Sequence, residues 1–207
     1  MAQTEFNIYS EADQTPLAGY IWSPDGAPKA VVQISHGLAE HAQRYKRFAE
    51  YLNALGYVVY AHDHRGHGRS IPLQGSLGNV GEAGWKGLVD DVAQVNRMIA
   101  HEHPDIPKIL FGHSLGSFSV QQYLLDHSNT IDAAVLSGST DIAMVAEMVA
   151  ATGEAPSFDT YNAAFAPNRT AFDWLSRDEF EVDLYVDDPL CGGEVDGELT
   201  VGLIGAA

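Results

Sequence analysis

Short apolar runs alternate with longer segments in which apolar residues recur every three or four positions. The short runs predict buried β-strands at 30–35, 57–61, 109–111 and 131–136. The recurring pattern predicts amphipathic helices, with apolar faces formed by Tyr45, Phe48, Leu52 and Leu55, by Trp85, Leu88, Val92, Val95 and Ile99, and by Phe118, Tyr123 and Leu124. Gly56 and Pro104 end the first two of these helices. This alternation of strand and helix predicts an α/β fold, a mostly parallel sheet with helices on both faces.

Two further regions complete the predicted organisation. Residues 6–10 and 17–22 alternate between apolar and polar positions on either side of a polar stretch, which predicts an entry hairpin. From 141 onward the pattern changes to a helical run at 142–151 and then a mixed, acid-rich segment. We therefore predict a core at 1–140, a helical insertion at 141–191 and the start of a return to the core at 192–207.

Composition and charge exclude several classes of function. Of the 207 residues, 45% are hydrophobic, which suffices for a substantial core. The formal net charge of −17 would repel phosphate backbones and anionic lipid, so we expect no nucleic-acid partner and no polybasic membrane docking.

The N-terminus lacks the features of a signal peptide, and no run reaches membrane-spanning length, so we expect a cytoplasmic location. With Cys191 as the single cysteine, we expect neither a disulfide framework nor a thiolate metal site.

The most informative stretch is Gly112-His113-Ser114-Leu115-Gly116, which lies between a predicted strand and a predicted helix. In such a strand-turn-helix, a serine at the apex is held in a strained backbone conformation with its hydroxyl free for attack. The flanking glycines are needed because a side chain there would collide with the strand or the helix. The pattern therefore predicts that Ser114 is a nucleophile.

Two other motifs precede this one, at 36–41 (H-G-L-A-E-H) and at 63–70 (D-H-R-G-H-G-R-S). Together the three motifs resemble the α/β-hydrolase family in its monoacylglycerol lipase and lysophospholipase branch, which is serine aminopeptidase S33-like. The resemblance implies an α/β-hydrolase fold and a serine carboxylic-ester hydrolase that acts on a single-chain acyl ester or lipid through an acyl-enzyme. We expect no cofactor, and because the His and Asp residues at 62–67 do not have the spacing of a known metal motif, we expect no metal.

The resemblance also implies roles for individual residues. Ser114 would attack the ester, and the backbone N–H groups of Leu38 and Leu115 would form the oxyanion hole. His36 and Gly37 would support the oxyanion loop, and the 63–70 motif would brace the loops around the site.

The 141–191 insertion would correspond to the helical cap of this family. Four of its side chains are candidates for contact with an acyl chain, although the same residues could instead form the core of the cap: Met144, Met148, Phe172 and Trp174.

The activating partners of Ser114 are not evident in the sequence. In this fold the chain order is Ser, then Asp or Glu, then His, yet the last histidine is His127. Asp141 follows the strand after the nucleophile strand and is a candidate acid. We therefore expect the C-terminal strands and the base of the family to be missing from these 207 residues.

Three further expectations concern the function and the sheet of a chain that lacks the C-terminal strands and the base. The chain could be a catalytically inactive remnant with an acyl-binding or partner-binding role. On the same fold it could also be a thioesterase, a peptidase or a cofactor-free haloperoxidase. The 131–136 strand would become a sheet edge, open to self-association or to pairing with a partner chain.

Overall fold

The fold is built on one six-stranded sheet. The computed structural model describes residues 2–71, 75–153, 157–193 and 197–205. The strands are β1 (Ala2–Tyr9), β2 (Pro16–Ser23), β3 (Ala30–Ser35), β4 (Tyr57–His62), β5 (Lys108–His113) and β6 (Ala133–Ser137). Their order is β1-β2-β4-β3-β5-β6. The pairs β4–β3, β3–β5 and β5–β6 are parallel, whereas β1 and β2 join antiparallel. This arrangement confirms the predicted mostly parallel sheet.

Seven helices accompany the sheet in the described residues. They are α1 (Lys46–Ala54), α2 (Gly84–Glu102), α3 (Leu115–His127), α4 (Ile142–Thr152), α5 (Phe158–Ala163), α6 (Glu179–Val186) and α7 (Gly197–Gly205). Alternate residues of each strand point to opposite faces. Val32 and Ile34 of β3 therefore pack in a cluster with Ala49 of α1, whereas Val31 packs with Val95 of α2. Helices cover both faces, as predicted.

The starts of two predicted strands differ from the structure by more than one residue. β1 begins at Ala2 rather than at residue 6, because all eight of its residues pair with β2. β6 begins at Ala133 rather than at 131, because residues 128–130 form a short helical turn and Ile131 packs against the α2–α3 cluster. β6 lies at the edge of the described sheet, and its Val135 and Leu136 are 46% and 43% exposed.

The segment after β6 contains the helices α4, α5 and α6, and its assignment as an insertion at 141–191 stays a prediction. An aromatic cluster joins its parts, since Phe172 contacts the rings of Phe158 and Tyr185, and Trp174 contacts those of Phe158 and Tyr161. Within the predicted return segment 192–207, residues 194–196 and 206–207 lie outside the described residues. Leu199 and Leu203 of α7 pack into the cluster formed by α2 and α3.

A buried arginine ties the entry hairpin to α2. Arg65 is fully buried and makes a two-pronged ion pair with Asp91, with Nε–Oδ2 at 2.8 Å and Nη2–Oδ1 at 3.1 Å. Its other donors reach Asp13 at 2.8 Å, the carbonyl of Val80 at 3.0 Å and the hydroxyl of Ser10 at 2.8 Å. The 63–70 motif therefore has a structural function at this residue.

Arg65→Met is expected to lower the free energy of unfolding by about 3–5 kcal/mol, because it leaves the carboxylate of Asp91 buried without its counter-charge. Urea unfolding followed by circular dichroism would measure the change. Arg97→Met is the matched control: Arg97 pairs with Glu11 in solvent, so its loss should cost about 1 kcal/mol or less. Equal losses in the two variants would contradict this account of Arg65.

Candidate active site

Ser114 occupies the turn between β5 and α3. Its backbone has φ +50° and ψ −119°, a region that side chains rarely adopt and that stores strain. Its N–H donates to the carbonyl of Ser137 at 2.9 Å, and its own carbonyl accepts from the hydroxyl of Ser117 at 2.6 Å. Within the described part of the chain, its hydroxyl has no hydrogen-bond partner. The turn is thus fixed through its backbone while the hydroxyl stays free.

The two flanking glycines permit this geometry. A Cβ on Gly116 would overlap the carbonyl oxygen of Ser35 and lie 2.5 Å from that of His36. A Cβ on Gly112 would overlap the carbonyl oxygen of Gly116. Any larger residue would push α3 away from β3 and β5.

The backbone amides of Leu38 and Leu115 both lie beside this turn. Leu115 is the first residue of α3, so its N–H has no acceptor within the helix. The loop that carries Leu38 turns back at Ala39, where φ is +53°, and is held by a 2.6 Å bond from the N–H of Gly37 to Glu40. Neither leucine amide donates to another group among the described residues. Two unpaired donors next to a strained serine can stabilise an oxyanion.

The histidines nearest to the turn are engaged elsewhere. His36 Nε2 accepts from the N–H of His64 at 2.9 Å, and His113 Nδ1 lies 3.1 Å from the hydroxyl of Ser137. His127 lies at the opposite end of α3, about 20 Å along the helix. In the described residues, no histidine nitrogen lies within hydrogen-bond distance of the Ser114 hydroxyl.

Four imidazoles form a buried cluster behind the oxyanion loop, with ring centroids 4.2 to 6.4 Å apart: His36, His62, His64 and His67. Burial, which disfavours the charged ring, lowers the pKa of His62 to about 4. Burial also lowers the pKa values of His36, His64 and His67, and neighbouring imidazoles lower those of His36 and His64 further. These rings are therefore neutral at pH 7.

Asp63, the first residue of the 63–70 motif, accepts hydrogen bonds from backbone N–H groups. Its two carboxylate oxygens accept from the N–H groups of Ala42 and Arg69, both at 2.8 Å. Burial raises its pKa, and the two amide hydrogen bonds partly oppose that effect. The motif thus joins the loop after β4 to the segment after the oxyanion loop.

The remaining predicted site residues lie in the insertion. The carboxylate of Asp141 accepts from the N–H of Ala143 at 2.9 Å and caps α4. Met144 and Met148 are 61% and 42% exposed on α4. Phe172 and Trp174 are half-buried in the aromatic cluster. The structure thus brings residues 37–39 next to the turn that carries Ser114, whereas the roles of Asp141, Met144, Met148, Phe172 and Trp174 stay predictions.

The sequence analysis did not single out one group of side chains whose atoms are of metal-ligating type. His41, Asp188 and Cys191 converge, with one donor atom from each within 4.8 Å of the others. Nitrogen, oxygen and sulfur ligands can together form a zinc site around a single cysteine, so the expectation of no thiolate metal site stays a prediction. Asp188 and Cys191 are close in sequence, but His41 is 147 positions from Asp188, and only the fold brings it near.

Comparison with known proteins gives the family. A family model described as serine aminopeptidase, S33, matches residues 26–207. The chain belongs to this family. The match confirms the resemblance seen in the three motifs, and the sheet described above is that of the α/β-hydrolase fold.

Three relatives illustrate how far the similarity extends. The chain is 41% identical to a monoacylglycerol lipase of Mycolicibacterium smegmatis over 118 residues, which is 57% of this chain and 40% of that protein. It is 35% identical to a monoglyceride lipase of Mus musculus over 188 residues, which is 86% of this chain and 58% of that protein. A thermostable carboxyl esterase of Bacillus coagulans shares the fold with a TM-score of 0.85 and 24% identity, over 99% of this chain and 71% of that one. The chain thus spans 40% to 58% of the length of these two lipases.

Proposed function

We propose that this chain is the nucleophile-bearing part of a serine ester hydrolase of the monoacylglycerol lipase type. The observation that carries the proposal is the strained backbone of Ser114 at the start of α3, with the loop at 37–39 next to the turn, since a Cβ on Gly37 would lie 3.3 Å from the ring of His113. The names of the M. smegmatis and mouse relatives support a monoacylglycerol or another single-chain acyl ester as substrate.

The chemistry follows from these groups. The Ser114 oxygen attacks the ester carbonyl carbon while its proton passes to a base, and the C–O bond then breaks as the protonated base gives that proton to the departing alcohol oxygen, which leaves an acyl-enzyme. Water releases the acid in a second, equivalent step. The N–H groups of Leu38 and Leu115 stabilise the oxyanion in both steps, and one such donor typically contributes about 2.7–4 kcal/mol.

The base and its carboxylate partner come, in this proposal, from polypeptide outside these 207 residues. The support is that each described histidine near Ser114 already serves the backbone or another hydroxyl. Beside the turn is an open cleft of about 400 Å³, lined in part by Phe48, Phe111, His113 and Ser137. Polypeptide that paired with β6 would pass beside this cleft.

The apolar side chains of the insertion complete the proposal. Met144 and Met148 offer exposed, flexible apolar surface, which suits an aliphatic chain, and Phe172 and Trp174 are further candidates within the aromatic cluster. No helix in the described ranges is long and apolar enough to cross a bilayer. The cytoplasmic location stays a prediction.

Free imidazole should restore hydrolysis, because it can act as the missing base. We expect the chain alone to hydrolyse p-nitrophenyl acyl esters slowly, and imidazole to raise the Ser114-dependent rate at least about tenfold, since a positioned base contributes about 10²–10⁴. Ser114→Ala, measured at each imidazole concentration, subtracts hydrolysis by imidazole itself. Parallel assays with monoacylglycerols, thioesters and aminoacyl amides would test the substrate class.

Two results would contradict the proposal. A rate unaffected by Ser114→Ala would remove Ser114 as nucleophile. Fast hydrolysis that needs Ser114 but gains nothing from imidazole would show that a base within the chain reaches the hydroxyl.

A further inference from the structure

The oxyanion loop and the turn at 188–191 meet at three metal-ligating side chains. His41 Nε2 lies 2.8 Å from Asp188 Oδ2, and the Cys191 sulfur lies within 4.8 Å of both donor atoms. His41 is buried, and the other two are half-buried. Nitrogen, oxygen and sulfur donors are thus assembled on two segments that are distant in sequence.

Hydrogen bonds hold both segments in place. Asp188 Oδ1 accepts from the N–H of Leu190 at 2.9 Å, and the N–H of Cys191 donates to the carbonyl of Asp188 at 3.0 Å. The carbonyl of Ala39 accepts from the hydroxyl of Tyr185 at 2.8 Å and from the N–H of Gly192 at 3.0 Å. A metal bound here would therefore meet ligands that are already oriented.

We propose that His41, Asp188 and Cys191 bind a zinc ion, with water as the fourth ligand. Zinc is favoured because it accepts imidazole, carboxylate and thiolate together in a tetrahedral set, and three protein ligands leave one position open. Magnesium and calcium prefer oxygen ligands only.

The local charges balance a divalent ion. The bound site would hold the negative charges of Asp188 and of the Cys191 thiolate, and Glu40 adds a third. Arg44 contributes one positive charge, since its Nε donates to Glu40 at 3.2 Å and its guanidinium also faces Asp188 and Cys191. The sum is minus two, which Zn²⁺ neutralises.

Solvent reaches the site through a groove of about 510 Å³, which His41 and Asp188 line. The other charged residues of the groove are paired, Arg47 with Glu181 at 2.5 Å and Lys46 with Glu50 at 4.0 Å. Their charges therefore cancel locally, and the path does not repel a cation.

Zinc binding would cross-link the oxyanion loop, through His41, to the turn at 188–191. The zinc–sulfur bond forms as the thiol proton leaves to solvent, and zinc replaces the hydrogen bond between His41 Nε2 and Asp188 Oδ2, with the neutral imidazole carrying its proton on Nδ1. The proposal is independent of ester hydrolysis, because metal uptake can be measured without substrate.

The test is titration of the whole chain with Zn²⁺ and with Co²⁺ as a spectroscopic probe. We expect one equivalent to bind, a thiolate-to-cobalt charge-transfer band to appear, and zinc to protect Cys191 from iodoacetamide. Cys191→Ser should abolish the band, and Asp188→Asn should weaken binding by about 10- to 100-fold or more. His101→Gln, which changes an exposed histidine on α2, should leave uptake unchanged.

Binding that keeps its stoichiometry and affinity in both Cys191→Ser and Asp188→Asn would overturn the proposal. Thermal melts without metal would show whether each variant is folded. If a variant does not fold, the wild-type cobalt spectrum decides, because a spectrum without a thiolate band excludes Cys191 as a ligand.

Discussion

Gly116→Ala is expected to abolish the reactivity of Ser114 and to destabilise the fold. The new methyl group would overlap the carbonyl of Ser35 and press on that of His36, and both are backbone atoms that cannot move without displacing β3. Overpacking of this kind costs about 1–3 kcal/mol. The displaced α3 would also carry the Leu115 amide away from the oxyanion, for which a rate loss of about 10²–10³ is usual.

Two measurements would check this prediction, urea unfolding and the rate of labelling by a fluorophosphonate. Gly205→Ala is the matched control, because a Cβ there meets nothing within 4 Å. It should change stability by no more than about 0.5 kcal/mol and leave labelling intact. Normal labelling of Gly116→Ala would show that the close approach of α3 to β3 is not required.

A second large effect is expected on acidification: stability should fall steeply as the pH drops below about 6.5. The pKa values of His36, His62, His64 and His67 are all lowered in the folded state. Each ring therefore binds a proton on unfolding in the window from about 6.5 down to its folded pKa, which is about 4 for His62.

Within its window, each histidine lowers the free energy of unfolding by about 1.4 kcal/mol for each pH unit of acidification. The four histidines together therefore approach about 5 kcal/mol per pH unit. Asp63 and Asp91, whose pKa values burial raises, act in the opposite direction and reduce the loss at lower pH. Urea unfolding at a series of pH values would measure the slope.

His62→Leu should reduce this slope by about one quarter and leave the fold intact, because neither ring nitrogen of His62 has a partner among the described residues. His101→Gln on the surface serves as the control. A stability that stays flat between pH 7 and 5 would contradict the description of the cluster as neutral and buried.

The sequence predicted those parts of the molecule whose causes are local. The β-branched run at 30–35 became β3 with the expected boundaries, since each of its residues is buried. The glycines around Ser114 indicated a tight turn because few other sequences can form one, and the structure places their missing side chains against backbone.

Features that depend on distant pairing were not predictable from local pattern. Residues 3–5 of β1 are polar and exposed, and only the pairing with β2 makes them extended. The meeting of His41 with Asp188 and Cys191 needs the insertion to fold back onto the oxyanion loop, which no spacing encodes. In the sequence, Arg65 is only one residue of the 63–70 motif. Its buried ion pair with Asp91 could be recognised only from the structure.

The most direct test of the account is intact-mass analysis after treatment with a fluorophosphonate, followed by peptide mapping. We predict a single adduct on the peptide that contains Ser114, formed faster than on free serine, absent from Ser114→Ala and retained in Ser128→Ala, which changes an exposed serine. An adduct that persists in Ser114→Ala, or a correctly folded chain that forms none even with imidazole present, would contradict the claim that this turn holds a nucleophile.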